Sequence, residues 1–136
     1  MKLALSESRK ALPDCLPNPP VGCLLVKDGI VVASGYTNAP GRHHAEADAL
    51  ARYAGSLAGI TAYVTLEPCS FQGRTPSCAE ALISRGVSSV VVALTDPDPR
   101  NNGQGLDKLR RAGVEVVEGV CAQEVEAFLK QYLNKG

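Results

Sequence analysis

The sequence carries no excess of either charge. Fourteen Lys and Arg face fourteen Asp and Glu over 136 residues, six of each through Pro68 and eight of each from Cys69 onward. Without a basic tail, arm or stripe, nothing is built to track a long polyanion or an anionic membrane surface, so nucleic acid and membrane are poor candidates. A small-molecule partner fits better. Long apolar runs are also lacking: the longest, such as 90–94, are strand-sized and far short of the roughly 20 residues that cross a bilayer. The first residues, MKLALSESRKAL, have neither the apolar core nor the cleavage site of a secretory signal. The cysteines are five, Cys15, Cys23, Cys69, Cys78 and Cys121. That odd number argues against a disulfide scaffold and predicts a cytoplasmic protein in a reducing compartment.

What is present is an ordinary globular composition, 45% hydrophobic and 21% charged, enough for one domain over 1–136 with its own core. Apolar spacing predicts a helix over 3–12, stopped by Pro13 and the Pro17-Asn18-Pro19-Pro20 cluster. Two β-branched runs, 21–26 and 30–34, flank Lys27-Asp28-Gly29, and Asp-Gly between such runs predicts an antiparallel hairpin. The Ala- and Leu-rich stretch 44–53 predicts a helix and 61–66 a third strand. Helices are expected over 76–85, with proline in the first turn, over 106–112 and over 122–133. Strands are expected over 88–95, apolar enough to be buried on both faces, and over 114–118. Strands alternating with helices in the later part imply parallel pairing there. The expected fold is a three-layer α/β domain whose mixed sheet has about five strands. Ligands bind such folds at loops after strand C-terminal ends, and 67–75 is one of these. Gly103-Gln104-Gly105 is too short a signal for a dinucleotide site and reads as loop.

Within that frame stand His44-Ala45-Glu46, then Pro68-Cys69, then Cys78. Zinc deaminases of nucleobases hold the metal with one His and two Cys, while a Glu two residues after the His moves protons without ligating. His44 and Cys78 are each expected in the first turn of a helix, and Cys69 just past a strand. The free N–H groups and positive end of a helix favour thiolate. Three protein ligands leave a fourth position for water, the catalytic rather than the structural zinc arrangement. A neutral imidazole, two thiolates and Zn²⁺ carry no net charge together, which suits a neutral heterocycle. Each residue alone has a bland reading, since a lone His at a helix start caps it and buried Cys is a small hydrophobe. The joint spacing is what argues for metal. His43 is the rival ligand, but two residues beyond it stands Ala45, so only His44 gives His-x-Glu. Glu67, beside the site, reads as a buried acceptor for loop N–H groups. Cys15, Cys23 and Cys121 lack ligand spacing and read as structural.

Eight residues separate Cys69 from Cys78, where the generic signature has two. This long loop, with Asn18-Pro-Pro-Val-Gly22, Lys27-Asp28-Gly29, Thr65-Leu-Glu-Pro-Cys-Ser70, Gly73-Arg-Thr-Pro76, Cys78-Ala-Glu-Ala-Leu82 and Asp96-Pro97-Asp98-Pro99, resembles the deaminase domain of the bacterial riboflavin-biosynthesis deaminase-reductases. The resemblance spans nearly the whole chain. It implies the cytidine-deaminase-like fold, zinc at His44, Cys69 and Cys78, Glu46 as proton shuttle, and deamination of a diaminopyrimidine ribosyl phosphate. It further implies that Asn18, Ala45 and Arg74 contact substrate; a turn-forming role before two prolines is the other reading of Asn18. Phe71, two residues after Cys69, is placed to offer an aromatic face to a flat ring, or to pack beneath its own loop.

The chain departs from the resembled pattern at Thr37 and Phe71, where the family usually has histidines that help hold the phosphate end. The reductase domain of the family does not follow within these 136 residues. The expectations are a stand-alone deaminase with a separate reductase, a piece of a longer enzyme, or a relative acting on another aminated heterocycle such as a pterin, purine or nucleoside. A deaminase of folded RNA is a rival that the charge balance disfavours. A purely structural zinc protein would need a fourth ligand that the spacing does not offer. Few aromatic residues and several buried-type strands predict a homo-oligomer, a dimer, in which a neighbour completes the site.

Overall fold

The computed structural model describes residues 1–70 and 77–133. Ten elements follow one another: α1 (Lys2–Arg9), β1 (Gly22–Lys27), β2 (Ile30–Tyr36), α2 (Ala45–Ala51), β3 (Ile60–Leu66), α3 (Cys78–Ser84), β4 (Ser89–Leu94), α4 (Gln104–Arg111), β5 (Glu115–Val117) and α5 (Ala122–Leu133). The strands form one sheet in the order β2-β1-β3-β4-β5. β1 runs antiparallel to both its neighbours, while β3, β4 and β5 are parallel. The hairpin closes at Asp28 and Gly29, whose φ values of 51° and 77° are the left-handed pair that a two-residue turn of this hand needs. β4 is buried on both faces at Val90, Val91, Val92 and Ala93, as its uninterrupted apolar run predicts.

Two close approaches set the layers. Gly22 of β1 sits under Ala4 of α1, whereas Gly35 of β2 sits under Ala45 and Ala49 of α2. Gly35 is cross-strand partner to Cys23, the next residue after Gly22, so α1 and α2 lie on opposite faces of the sheet. α5 joins the α1 side, where the Arg9 guanidinium lies 5.2 Å from the Phe128 ring. α3 and α4 join α2 on the other side. Leu25, Ile60, Val64, Val90 and Val92 in the sheet and Leu57, Leu82, Leu106, Leu109, Val125 and Leu129 around it form a fully buried core.

Several boundaries differ from the sequence expectation. α2 begins at Ala45, leaving His44 in extended conformation as its N-cap. α3 begins at Cys78, not at 76, because Ser77 is the cap: its hydroxyl accepts the Glu80 N–H at 3.1 Å. Pro76 lies outside the described residues. β2 runs on to Tyr36, two residues past its expected end. The stretch read as loop at 103–105 is the start of a helix: Gly103 is its N-cap, with φ 88°, and Gln104 and Gly105 lie in the first turn of α4.

Candidate active site

The site forms where β3 and β4 end and α2 and α3 begin. Gly35 lets α2 lie directly on β2, because a Cβ there would stand 2.4 Å from Ala49 N and 2.5 Å from Ala45 O. Asp48, buried, accepts the Tyr36 N–H at 3.1 Å and ties the same helix to the strand. This docking turns Ala45 and Glu46 inward, where both are buried, and leaves His43 in the solvent-exposed loop.

β3 delivers the second component. Glu67, directly after the strand and buried, accepts Asp96 N–H at 3.0 Å and Gly103 N–H at 2.8 Å on Oε1, and Leu106 N–H at 3.0 Å on Oε2. It therefore knits three loop amides together, as expected from sequence, and is fully occupied in doing so. The following residue, Pro68, presents its carbonyl against α4, and here Gly105 is required: a Cβ there would lie 1.9 Å from Pro68 O. Cys69 O accepts Ala79 N–H at 3.1 Å, and Cys69 Sγ accepts Cys78 N–H at 3.2 Å. The cysteine loop is thus clasped to the start of α3.

These placements bring together three side chains from distant parts of the chain. His44 Nδ1 lies 3.4 Å from Cys78 Sγ and 3.9 Å from Cys69 Sγ, and the three ligand atoms all fall within 4.8 Å of one another. Around one tetrahedral zinc, bonds of about 2.3 Å to sulfur and 2.05 Å to nitrogen would hold an S···N pair about 3.6 Å apart. The observed pair of distances brackets that value, and the donors are the two sulfurs and one imidazole nitrogen that zinc prefers. The residues present fit the ion. Among the described residues no other His, Cys, Asp and Glu group meets this criterion.

The electrostatics support the same use. The hydrogen bond from Cys78 holds the Cys69 thiol far below its ordinary value, with His44 and the Cys78 N–H helping against desolvation. The same shared proton pushes Cys78 up. The bond to Cys69 raises His44 against the opposing effect of burial. Burial pushes the Glu46 carboxyl up to about 7, and the neighbouring Cys69 thiolate adds to the shift. A carboxyl poised near neutrality beside a cluster of ligands can both take and return a proton. Cys23, completely buried, is pushed well above the usual thiol value by burial, consistent with the structural reading, and Cys15 is buried as well.

The cluster opens into a cavity of about 610 Å³ lined in part by Asn18, Thr37, Ala45, Glu46, Asp96 and Tyr132, a size within the range of small-molecule sites. Asn18 and Ala45 both line this cavity. Phe71 and Arg74 lie outside the described residues. Thr37, buried, uses its hydroxyl to accept the Val21 N–H at 3.0 Å. Sequence reasoning missed Tyr132 and Asp48, as well as Asn101 and Lys108. Tyr132, whose ring lies 5.7 Å from that of Phe128, reaches the cavity only because α5 folds back from the end of the chain. Asn101 and Lys108 bond to the loop around Cys69. No local motif marks any of the four.

Residues 1–94 match the model of the zinc-binding region of cytidine and deoxycytidylate deaminases, and the chain belongs to that family. Among its relatives, the riboflavin biosynthesis protein RibD of Aquifex aeolicus is 49% identical over 134 residues, which cover 98% of this chain and 38% of that protein. The diaminohydroxyphosphoribosylamino-pyrimidine deaminase of Buchnera aphidicola is 38% identical over 135 residues, 99% of this chain and 92% of that protein. RibD of Acinetobacter baumannii superposes with a TM-score of 0.92 at 42% identity, over 97% of this chain and 37% of that chain. The chain thus spans little more than a third of the length of the RibD relatives. The fold extends further, to a dCMP deaminase of the cyanophage S-TIM5, with a TM-score of 0.67 at 23% identity. No helix among the described residues is long and apolar enough to cross a membrane.

Proposed function

We propose that the chain is a zinc-dependent hydrolytic deaminase, one domain over 1–136, acting on the diaminopyrimidine ribosyl phosphate of riboflavin biosynthesis. The observation that carries this reading is the buried Glu46 carboxyl beside the His44, Cys69 and Cys78 cluster at the wall of the cavity. The names of the RibD relatives and of the Buchnera deaminase support the substrate.

His44, Cys69 and Cys78 would hold the zinc, which when bound would supply the Lewis acidity that makes water a nucleophile near neutral pH. Glu46 accepts one proton of the attacking water and returns it to the ring nitrogen next to the reacting carbon, then takes the remaining proton from the added hydroxyl and delivers it to the departing amine. Water adds its oxygen to that carbon, the C–N bond breaks, and ammonia leaves with a ring carbonyl in its place. Asn18 and Ala45 line the cavity and would contact the ring, with Phe71 and Arg74 as further substrate contacts. The two ligand thiols must stay reduced for this chemistry, and all five cysteines are free, which supports the cytoplasm as its compartment. We further propose a homo-oligomer, a dimer, and a reductase, separate or linked, as the enzyme of the next step; the deaminase/reductase description of the Thermotoga maritima relative supports the pairing.

The test is Glu46→Gln in the full chain. It should retain about one zinc per chain and an unchanged fold while ammonia release falls by 10²-fold or more. Near-normal turnover, or wild-type protein purified without chelator and free of zinc, refutes the proposal.

A further inference from the structure

Asn101 lies in the loop between β4 and α4 with no exposed surface. Its side chain reaches back to the peptide groups on both sides of Cys69. Oδ1 accepts Ser70 N–H at 3.1 Å, and Nδ2 donates to Pro68 O at 3.2 Å. The same amide donates to Asp96 Oδ2 at 3.3 Å, and Asp96 lines the cavity. A carboxamide is a short planar group that offers a donor and an acceptor side by side, which is what bridging a C=O and an N–H across one residue requires.

The position of those two groups matters. Pro68 O belongs to the peptide plane before the Cys69 Cα and Ser70 N–H to the plane after it. Rotation of either plane swings the Cys69 Cα–Cβ bond and carries Sγ away from His44 Nδ1 and Cys78. Of the other bonds of the loop, Lys108 Nζ holds Ser70 O at 3.0 Å while paired with Glu80 at 2.6 Å, one plane further on, and Ala79 N–H holds Cys69 O at 3.1 Å, in the same plane as Ser70 N–H. Of these bonds only that of Asn101 to Pro68 O restrains the plane before Cys69. Loss of the Asn101 amide would strand a buried carbonyl and a buried or half-buried N–H at the two hinges of Cys69, an arrangement the chain relieves by rotating them.

We infer that Asn101 is a positioning residue that fixes the direction of Cys69 Sγ toward the metal and couples it, through Asp96, to the wall of the substrate cavity. The inference rests on the reading of Cys69 as a zinc ligand. Partners that orient a ligand from behind in this way typically control metal affinity by about 10- to 100-fold.

The experiment follows zinc loss from the full chain to a chromophoric chelator, with melting temperature measured in parallel. Asn101→Leu removes donor and acceptor at similar volume; Asn101→Asp keeps the acceptor for Ser70 N–H and removes the donor to Pro68 O. Leu57→Ala serves as comparison, because Leu57 is fully buried in the loop that leads into β3, at the opposite end of that strand from Cys69. Both Asn101 variants should release zinc at least 10-fold faster than wild type, while Leu57→Ala melts lower and releases zinc at the wild-type rate. Wild-type release from both Asn101 variants overturns the inference alone. So does equal acceleration in Leu57→Ala, which would trace the effect to global stability. Wild-type protein without zinc overturns the inference together with the reading of Cys69.

Discussion

A single methyl group at position 35, far from any contact with substrate, should disable the site. In Gly35→Ala the new Cβ would stand 2.4 Å from Ala49 N and 2.5 Å from Ala45 O, about 1 Å inside ordinary contact. Both opposing atoms are backbone, so no side chain can turn aside, and α2 must move off β2 by about that distance. Such overpacking costs about 1–3 kcal/mol, which for a chain of this size lowers Tm by roughly 4–12 °C. The catalytic consequence is larger than the stability loss, because α2 carries Ala45 and Glu46 and is capped by His44. Displacing a proton-transfer group by about 1 Å costs on the order of 10²-fold in turnover. The assay is ammonia release under saturating substrate, well below the melting temperature of the variant, with zinc content measured in the same sample. Turnover within threefold of wild type, alongside a lowered Tm, would refute the claim that Gly35 sets the position of Glu46.

In the metal-free protein the raised Glu46 carboxyl means that the native state holds a proton the unfolded chain has lost. Its contribution is fully present below about pH 4.5, falls as pH rises, and is gone above about pH 7; the loss is on the order of 3 kcal/mol. Denaturant titrations of metal-free wild type and Glu46→Gln from pH 4 to pH 8 should differ by that slope, and parallel profiles would contradict it. With Thr37 engaged by the Val21 backbone and no imidazole at 37 or 71, dependence on the substrate phosphate should be modest. A kcat/KM ratio above about 10³-fold, roughly 4 kcal/mol, between a ribosylaminopyrimidine with and without its phosphate would show that other residues bind it strongly. Light scattering should report a dimer or larger species at working concentration, and a concentration-independent monomer would rule out the proposed assembly.

The sequence by itself determined the elements whose signals are local. Asp28-Gly29 sets the hairpin turn because only a few residue types tolerate two consecutive positive φ angles, and the structure has both. The run at 90–93 marks a strand buried on both faces because no polar residue interrupts it. His44-Ala45-Glu46 and Pro68-Cys69 carry the motif of a deaminase zinc-binding region, and the structure brings His44, Cys69 and Cys78 to one point. Glu67 was legible as an acceptor because a lone acid behind a buried strand has loop amides to satisfy. What only the tertiary structure decided are the contacts between elements that periodicity cannot place. Gly35 and Gly105 look like ordinary glycines until a helix backbone is seen above one and Pro68 O beside the other. Asn101 and Lys108 look like loop and helix-surface residues until the chain folds them onto the flanks of Cys69. Tyr132 reaches the cavity from the last turn of α5. Each such contact depends on the distance and angle between two elements, and those are fixed by side-chain packing across the whole sheet rather than by any stretch of neighbouring residues.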